Sequence, residues 1–179
     1  LDSTPIVVIA GQVMSSVLGT DFFQEVDLVG VTQPISKWSY QIRSAEDIAS
    51  AVSRAFYIAR TGRPGPVVLD FAKNAQVGMV DFKPATIGVD RGYIAVPETD
   101  PKSIAEAVAL INAAERPLVL SGQGVELGNA TEELRAFVEK ADIPVGCTLL
   151  GLSTLPHGHR LRKGMLGMHG NLGPNTKTN

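Results

Sequence analysis

The sequence predicts an α/β fold made of parallel-sheet elements from two domains. Three observations carry that expectation. The apolar run Pro5 to Ala10 has the length and composition of a strand buried on both faces of a sheet, and Val67 to Phe71 reads as a further strand. Helical patterns alternate with such runs across tight connections, the grammar of a parallel sheet. From Asn74 to Pro101, Gly78, Pro84, Gly88, Gly92 and Pro97 interrupt any sustained period, which predicts an interdomain linker over 77–100.

Taken in order, the first strand empties into Gly19-Thr20-Asp21-Phe22-Phe23-Gln24-Glu25. A strand that ends in polar groups around a Phe-Gln pair, expected to be buried, marks a binding site more than a plain turn. Asp27 to Val31 reads as a second short strand, closed by Gln33-Pro34. Ser44 opens a helix with Asp47 as its capping-box partner, and Ile48, Val52, Phe56 and Ala59 form its inner face. Gly62 suits the left-handed position that ends it. Arg63-Pro64-Gly65-Pro66 then leads into the strand from Val67.

In the second half, Asp100-Pro101 is an N-cap followed by proline at the first helical position. Ile104, Val108 and Ile111 form the stripe to be buried. The strand Leu118 to Leu120 runs into Ser121-Gly122-Gln123-Gly124. Asn129 opens another helix with Glu132 as box partner and Leu134, Phe137, Val138 and Ala141 inward; Pro144 to Leu149 is the next strand. This alternation is Rossmann-like, and its loops fall at strand ends, where open parallel sheets bind ligands.

Composition sets the broad class. Of 179 residues, 44% are hydrophobic and 19% charged, with a formal charge of -2. So even a balance leaves no electrostatic footprint for nucleic acid and no basic face for anionic lipid. Cys147 stands alone, so no internal disulfide framework forms and a reducing, cytoplasmic compartment is expected. No apolar run approaches the roughly 20 residues of a membrane span, and no signal-peptide pattern is present. A start at Leu1 and a stop soon after a glycine-rich segment read as a piece of a longer polypeptide.

Several residues admit a functional and a plainer reading. Glycines at 122 and 124 let backbone amides approach a phosphate at a helix start, or simply make a tight turn. Arg63, on a proline-stiffened loop, projects to grip a phosphate bidentately or is a surface arginine. Lys73, at the carboxyl edge of the first sheet, is a solvated cation or the partner of a carboxylate substrate. His169 lies between glycines and can serve as donor, acid or base. His157 and His159 lack a third ligand at useful spacing, which argues against a metal there.

Gly11-Gln12-Val13, Gly19-Thr20-Asp21, Phe23-Gln24-Glu25, Lys37-Trp38, Thr61 to Pro66 and Gly164-Met165-Leu166-Gly167-Met168-His169-Gly170 occur in this order and spacing. Together they resemble the catalytic subunits of the acetolactate synthase (acetohydroxyacid synthase) family of thiamine-diphosphate enzymes, across essentially the whole chain. The resemblance implies that 1–76 is the C-terminal half of a pyrimidine-binding domain and 101–179 the N-terminal half of a central FAD-binding domain. It implies condensation of two pyruvates, or pyruvate and 2-oxobutyrate, with loss of carbon dioxide, on the route to branched-chain amino acids.

Thiamine diphosphate, Mg²⁺ and FAD are the implied cofactors. By resemblance Arg63, Gly122, Gln123, Gly124, Thr148, Leu149, Leu166, Gly167, Met168 and His169 line the FAD, while Phe23, Gln24 and Lys73 sit at the substrate channel. The metal and diphosphate sites, and the glutamate that activates the aminopyrimidine, are expected outside this chain, leaving the segment alone inactive. Implied partners are a second copy, as homodimer or homotetramer, and a small regulatory subunit. Met14 stands where many members have Pro, Phe22 where they have Ala, and Leu150 where they have Gln. Two other readings stay open: another thiamine-diphosphate carboligase or decarboxylase, such as one acting on glyoxylate, and a non-catalytic nucleotide-binding module.

Overall fold

The computed structural model describes residues 2–85, 87 and 95–178. It consists of two compact units, Leu1–Glu98 and Thr99–Asn179, each carrying its own three-stranded parallel sheet. The boundary at Glu98 lies inside the 77–100 stretch; Gly88 and Gly92 of that stretch lie outside the described residues.

The first unit runs β1 (Val7–Gln12), α1 (Leu28–Thr32), β2 (Trp38–Ile42), α2 (Ile48–Arg60), β3 (Val67–Ala72) and α3 (Lys73–Val77). Its sheet has the order β1-β3-β2, so β3 is central and all six of its residues are buried. That is the expected fate of a continuous apolar run with helices on the sheet faces. β1 has an equally apolar sequence but only one neighbour. Ile9 is 63% exposed, so the expectation of burial on both faces fails for this strand.

Asp27 to Val31 is not a strand. The Asp27 side chain accepts the Gly30 N–H at 2.9 Å and starts α1 instead, a local cap outweighing the strand preference of its valines. The second strand is β2, one turn later. There Trp38 and Tyr40, on one face, stack at 5.2 Å, and the Arg54 guanidinium lies 5.1 Å over the Trp38 ring.

Ser44 does not form the expected capping box. Its hydroxyl donates to the Asp47 carboxylate at 3.1 Å, and a 3-10 turn over Ala45–Asp47 precedes α2. The buried face of α2 is Ala51, Ala55, Ile58 and Ala59, packed on Ile42, Val67, Leu69 and Phe71. Ile48 and Val52 flank this core, while Phe56 is 50% exposed, so the expected stripe is turned by about one residue. Small alanines allow the helix close onto the sheet. Gly62 ends α2 with φ 57°, as the sequence predicts.

The second unit runs α4 (Pro101–Ala113), β4 (Val119–Ser121), α5 (Gly124–Leu127), α6 (Thr131–Ala141), β5 (Val145–Cys147), β6 (Arg162–Met165) and α7 (Leu172–Lys177). The sheet order is β4-β5-β6. Asp100 caps α4 as expected, accepting the N–H groups of Lys102 and Ser103. Ile104 and Val108 remain half exposed and no α4 residue is buried, so the predicted stripe is present but uncovered. Periodicity identifies a face; it does not supply what packs on it.

Asn129 is not the cap of α6. It adopts a left-handed conformation, φ 56°, and Ala130 precedes the helix. Val138 packs with Val145, Cys147, Leu155 and Leu161, flanked by Leu134, whereas Phe137 and Ala141 are exposed. The strand predicted over 144–149 stops at Cys147 because a 3-10 helix begins at Leu149. Among the described residues no helix is long and apolar enough to cross a membrane.

Candidate functional site

In the first unit the chain reverses at the carboxyl ends of β1 and β3. Gln12 closes β1, and Lys73 heads α3 directly after β3. Between them opens a cleft of about 670 Å³, lined by Gly11 to Met14, Val17, Phe22 to Gln24, Lys73 and Gln76. Phe23, Gln24 and Lys73 therefore share one cavity. The burial expected of the Phe-Gln pair is not found: Phe23 is 80% exposed and stands at the mouth. Lys73 is exposed as well.

The segment over this cleft is bent sharply. Gly19, Asp21 and Gln24 all have positive φ, of 78°, 56° and 68°. For Asp21 and Gln24 that is a sparsely populated conformation, which surrounding bonds must hold. Glu25 supplies several of them: its carboxylate accepts the backbone N–H groups of Gly19, Thr20 at 3.3 Å and Phe22 at 3.1 Å. These bonds, Gly19's first, hold its carboxyl below the usual glutamate range.

Sequence reasoning missed the polar groups beneath the cleft. Asp70, in the otherwise apolar β3, is 1% exposed; its Oδ2 accepts from Gln12 Nε2 at 3.2 Å and Gln41 Nε2 at 2.8 Å. Asn74 is a second such residue: its Oδ1 accepts from the Ser15 backbone N–H at 2.8 Å and its Nδ2 donates to the Arg43 carbonyl at 2.7 Å. One signal was legible, a lone aspartate inside a run of six strand residues.

Arg63 also belongs to the first unit, where its Nε donates to Ser3 Oγ at 2.7 Å. Its loop is braced by Lys37, whose ammonium donates to the Ile58 carbonyl and to that of Thr61 at 2.7 Å, the cation standing at the carboxyl end of α2. The Lys37-Trp38 motif is thus architectural: one side chain caps α2, the other stacks on β2.

In the second unit the three parallel strands end side by side, at Ser121, Cys147 and Met165. The loops that follow carry Gly122 to Gly124, Thr148 and Leu149, and Leu166 to His169. They are tied to one another: Thr148 N–H donates to the Ser121 carbonyl at 2.9 Å, and Leu166 N–H to the Cys147 carbonyl at 2.8 Å. Leu166 lies over Gly146, where an added Cβ would meet its Cδ1 at 2.7 Å. The Asn175 carboxamide exchanges two hydrogen bonds with the Gly167 backbone, at 3.0 and 2.9 Å.

This edge leaves glycine backbone and apolar side chains uncovered. A Cβ at Gly124 or Gly167 would meet nothing within 4 Å, so the backbone there is open to an approaching group. Leu149 is 67% and Met168 93% exposed, an apolar surface at the end of a parallel sheet. His169 is exposed beside them. The helix after Gly122 is only four residues long, so the dipole expected there is slight.

His159 pairs with Glu139 at 3.0 Å, and among the described residues no three His, Cys, Asp or Glu side chains group to hold a metal ion.

Parallel α/β units with loops gathered at the carboxyl edges describe a cofactor-binding enzyme architecture. Residues 104–177 match the family model described as thiamine pyrophosphate enzyme, central domain. Among similar proteins, the acetolactate synthase large subunit of Corynebacterium glutamicum is 46% identical over 171 residues, covering 95% of this chain and 27% of the relative. The isozyme 1 large subunit of Escherichia coli K12 is 44% identical over 170 residues, 95% of this chain and 30% of the relative. A probable acetolactate synthase large subunit of Methanocaldococcus jannaschii is 42% identical over 173 residues, with 94% and 29% covered. The chain belongs to the thiamine pyrophosphate enzymes, and within them to the acetolactate synthase large-subunit family. It spans 27 to 30% of the length of these relatives.

Proposed function

We propose that this chain is a segment of an acetolactate synthase that condenses two 2-oxo acids with loss of carbon dioxide. The observation that carries the reading is the cleft shared by Phe23, Gln24 and Lys73 at the carboxyl edge of a parallel sheet. The exposed Lys73 ammonium pairs with the carboxylate of pyruvate or 2-oxobutyrate. Gln24, held with φ 68°, presents its carboxamide to the substrate oxygens, and the Phe23 ring keeps water from the mouth.

The electron sink for loss of carbon dioxide comes from thiamine diphosphate when it is bound. The Mg²⁺ and diphosphate contacts, and the activating glutamate, come from parts of the polypeptide outside this segment. Gly122 to Gly124, Thr148, Leu149 and Leu166 to His169 would hold FAD, whose role would be architectural, because the net reaction moves no electrons. On this reading 1–76 belongs to the pyrimidine-binding domain and 101–179 to the FAD-binding domain. The relatives named as large subunits support a smaller partner subunit; a regulatory role for it, and a homodimer or homotetramer in the cytoplasm, belong to the same proposal.

The test is the full-length protein supplied with pyruvate, thiamine diphosphate, Mg²⁺ and FAD. Acetolactate is the expected product. No product from pyruvate alongside turnover of glyoxylate would favour a different carboligase of the same architecture.

A further inference from the structure

Asp70 is harder to explain than any other buried residue. Among the described residues it is the only carboxylate buried to this degree, 1% exposed at the centre of β3. Its Oδ1 has no hydrogen-bond partner, and both donors to Oδ2 are neutral carboxamides. A carboxylate so placed opposes folding, and apolar side chains of similar size would pack there more stably. Packing therefore does not account for it.

What the carboxylate does is fix two amides. A carboxylate only accepts hydrogen bonds, so Gln12 and Gln41 must each turn an NH₂ group toward it. Gln41 Oε1 then faces Arg43 Nε, at 2.9 Å. Gln12 Oε1 faces the Val13 N–H at 2.9 Å, and its Nε2 also donates to the Val26 carbonyl at 2.7 Å. Val26 immediately follows the segment that carries Phe22, Phe23 and Gln24. That segment has left-handed residues and an 80% exposed Phe23, so it has little packing of its own.

We propose that Asp70 is a positioning residue: it orients the Gln12 amide, which ties Val26 to the sheet and holds Phe23 and Gln24 over the cleft. The inference rests on the reading of that cleft as the 2-oxo acid site. Glu25 closes the segment on itself; the Asp70–Gln12 pair fastens it to β1 and β3.

The experiment is made on full-length protein carrying Asp70→Leu, which keeps the branching at Cγ and removes both acceptor oxygens. Hydrogen exchange at amides 19–26 rises roughly tenfold, the scale of one charge-assisted hydrogen bond, while β3 amides keep their wild-type protection. Pyruvate KM rises by about the same factor with kcat within about twofold. Should Asp70→Leu fail to fold, Gln12→Met removes the same tether from its other end and gives the same local loosening. Unchanged exchange at 19–26, or a uniform rise across the whole first unit, overturns the proposal. Loosening at 19–26 in a protein whose wild type makes no acetolactate from pyruvate leaves the tether standing and sinks the functional reading instead.

Discussion

Glu25 folds its carboxylate back onto the backbone N–H of Gly19, six residues upstream. The bonds it accepts from Gly19, Phe22 and Thr20 favour the charged form and keep its carboxyl below the usual range. A carboxyl lowered in the folded state stabilises that state above its unfolded pKa and loses the effect as pH falls through the folded value. The loop therefore holds at neutral pH and opens only in acid, below the ordinary glutamate range. Glu25→Gln should speed exchange at the Gly19 and Phe22 amides at neutral pH and remove that acid dependence. Hydrogen exchange followed by mass spectrometry checks both.

Glycines in the second unit separate backbone crowding from ligand approach. A Cβ at Gly151 would come 2.4 Å from the Ser121 carbonyl oxygen and 2.9 Å from Gly122 Cα, both backbone atoms. Gly151→Ala should cost about 1–3 kcal/mol, typical of overpacking, and displace the Gly122 loop. Gly124→Val meets no neighbour within 4 Å of its Cβ. It should leave the melting temperature nearly unchanged and lower bound flavin, read by absorbance of the purified full-length protein.

The face of α2 is testable by truncation. Leu69 is fully buried beneath the helix, whereas Phe56, which the helical period places inward, is 50% exposed. Leu69→Ala should cost about 2–5 kcal/mol through the cavity it leaves. Phe56→Ala should cost about 1 kcal/mol or less. Urea unfolding of the two variants side by side checks the difference, and a reversal would restore the face read from periodicity.

Local chemistry was legible where one element decides its own fate. The apolar run of β3, the Asp100-Pro101 start of α4 and the Gly62 end of α2 are read directly from neighbouring residues. Position in the sheet was not. β1 and β3 have similar sequences, and only the strand order makes one an edge and the other a centre. The Asp27 cap outweighed two valines in a segment too short for its period to speak. The network under the cleft was the least visible, because Gln12 and Gln41 meet Asp70 across 58 and 29 residues of chain. Strand register brings them together, and no local pattern records it.

Pyruvate saturation kinetics of the full-length Lys73→Met enzyme against wild type test most directly whether the cleft at the end of β3 receives a 2-oxo acid. A KM increase of roughly tenfold or more is expected from loss of the charged pair, with Lys73→Arg falling between the two. Unchanged KM and kcat in Lys73→Met would contradict a carboxylate bound at that ammonium.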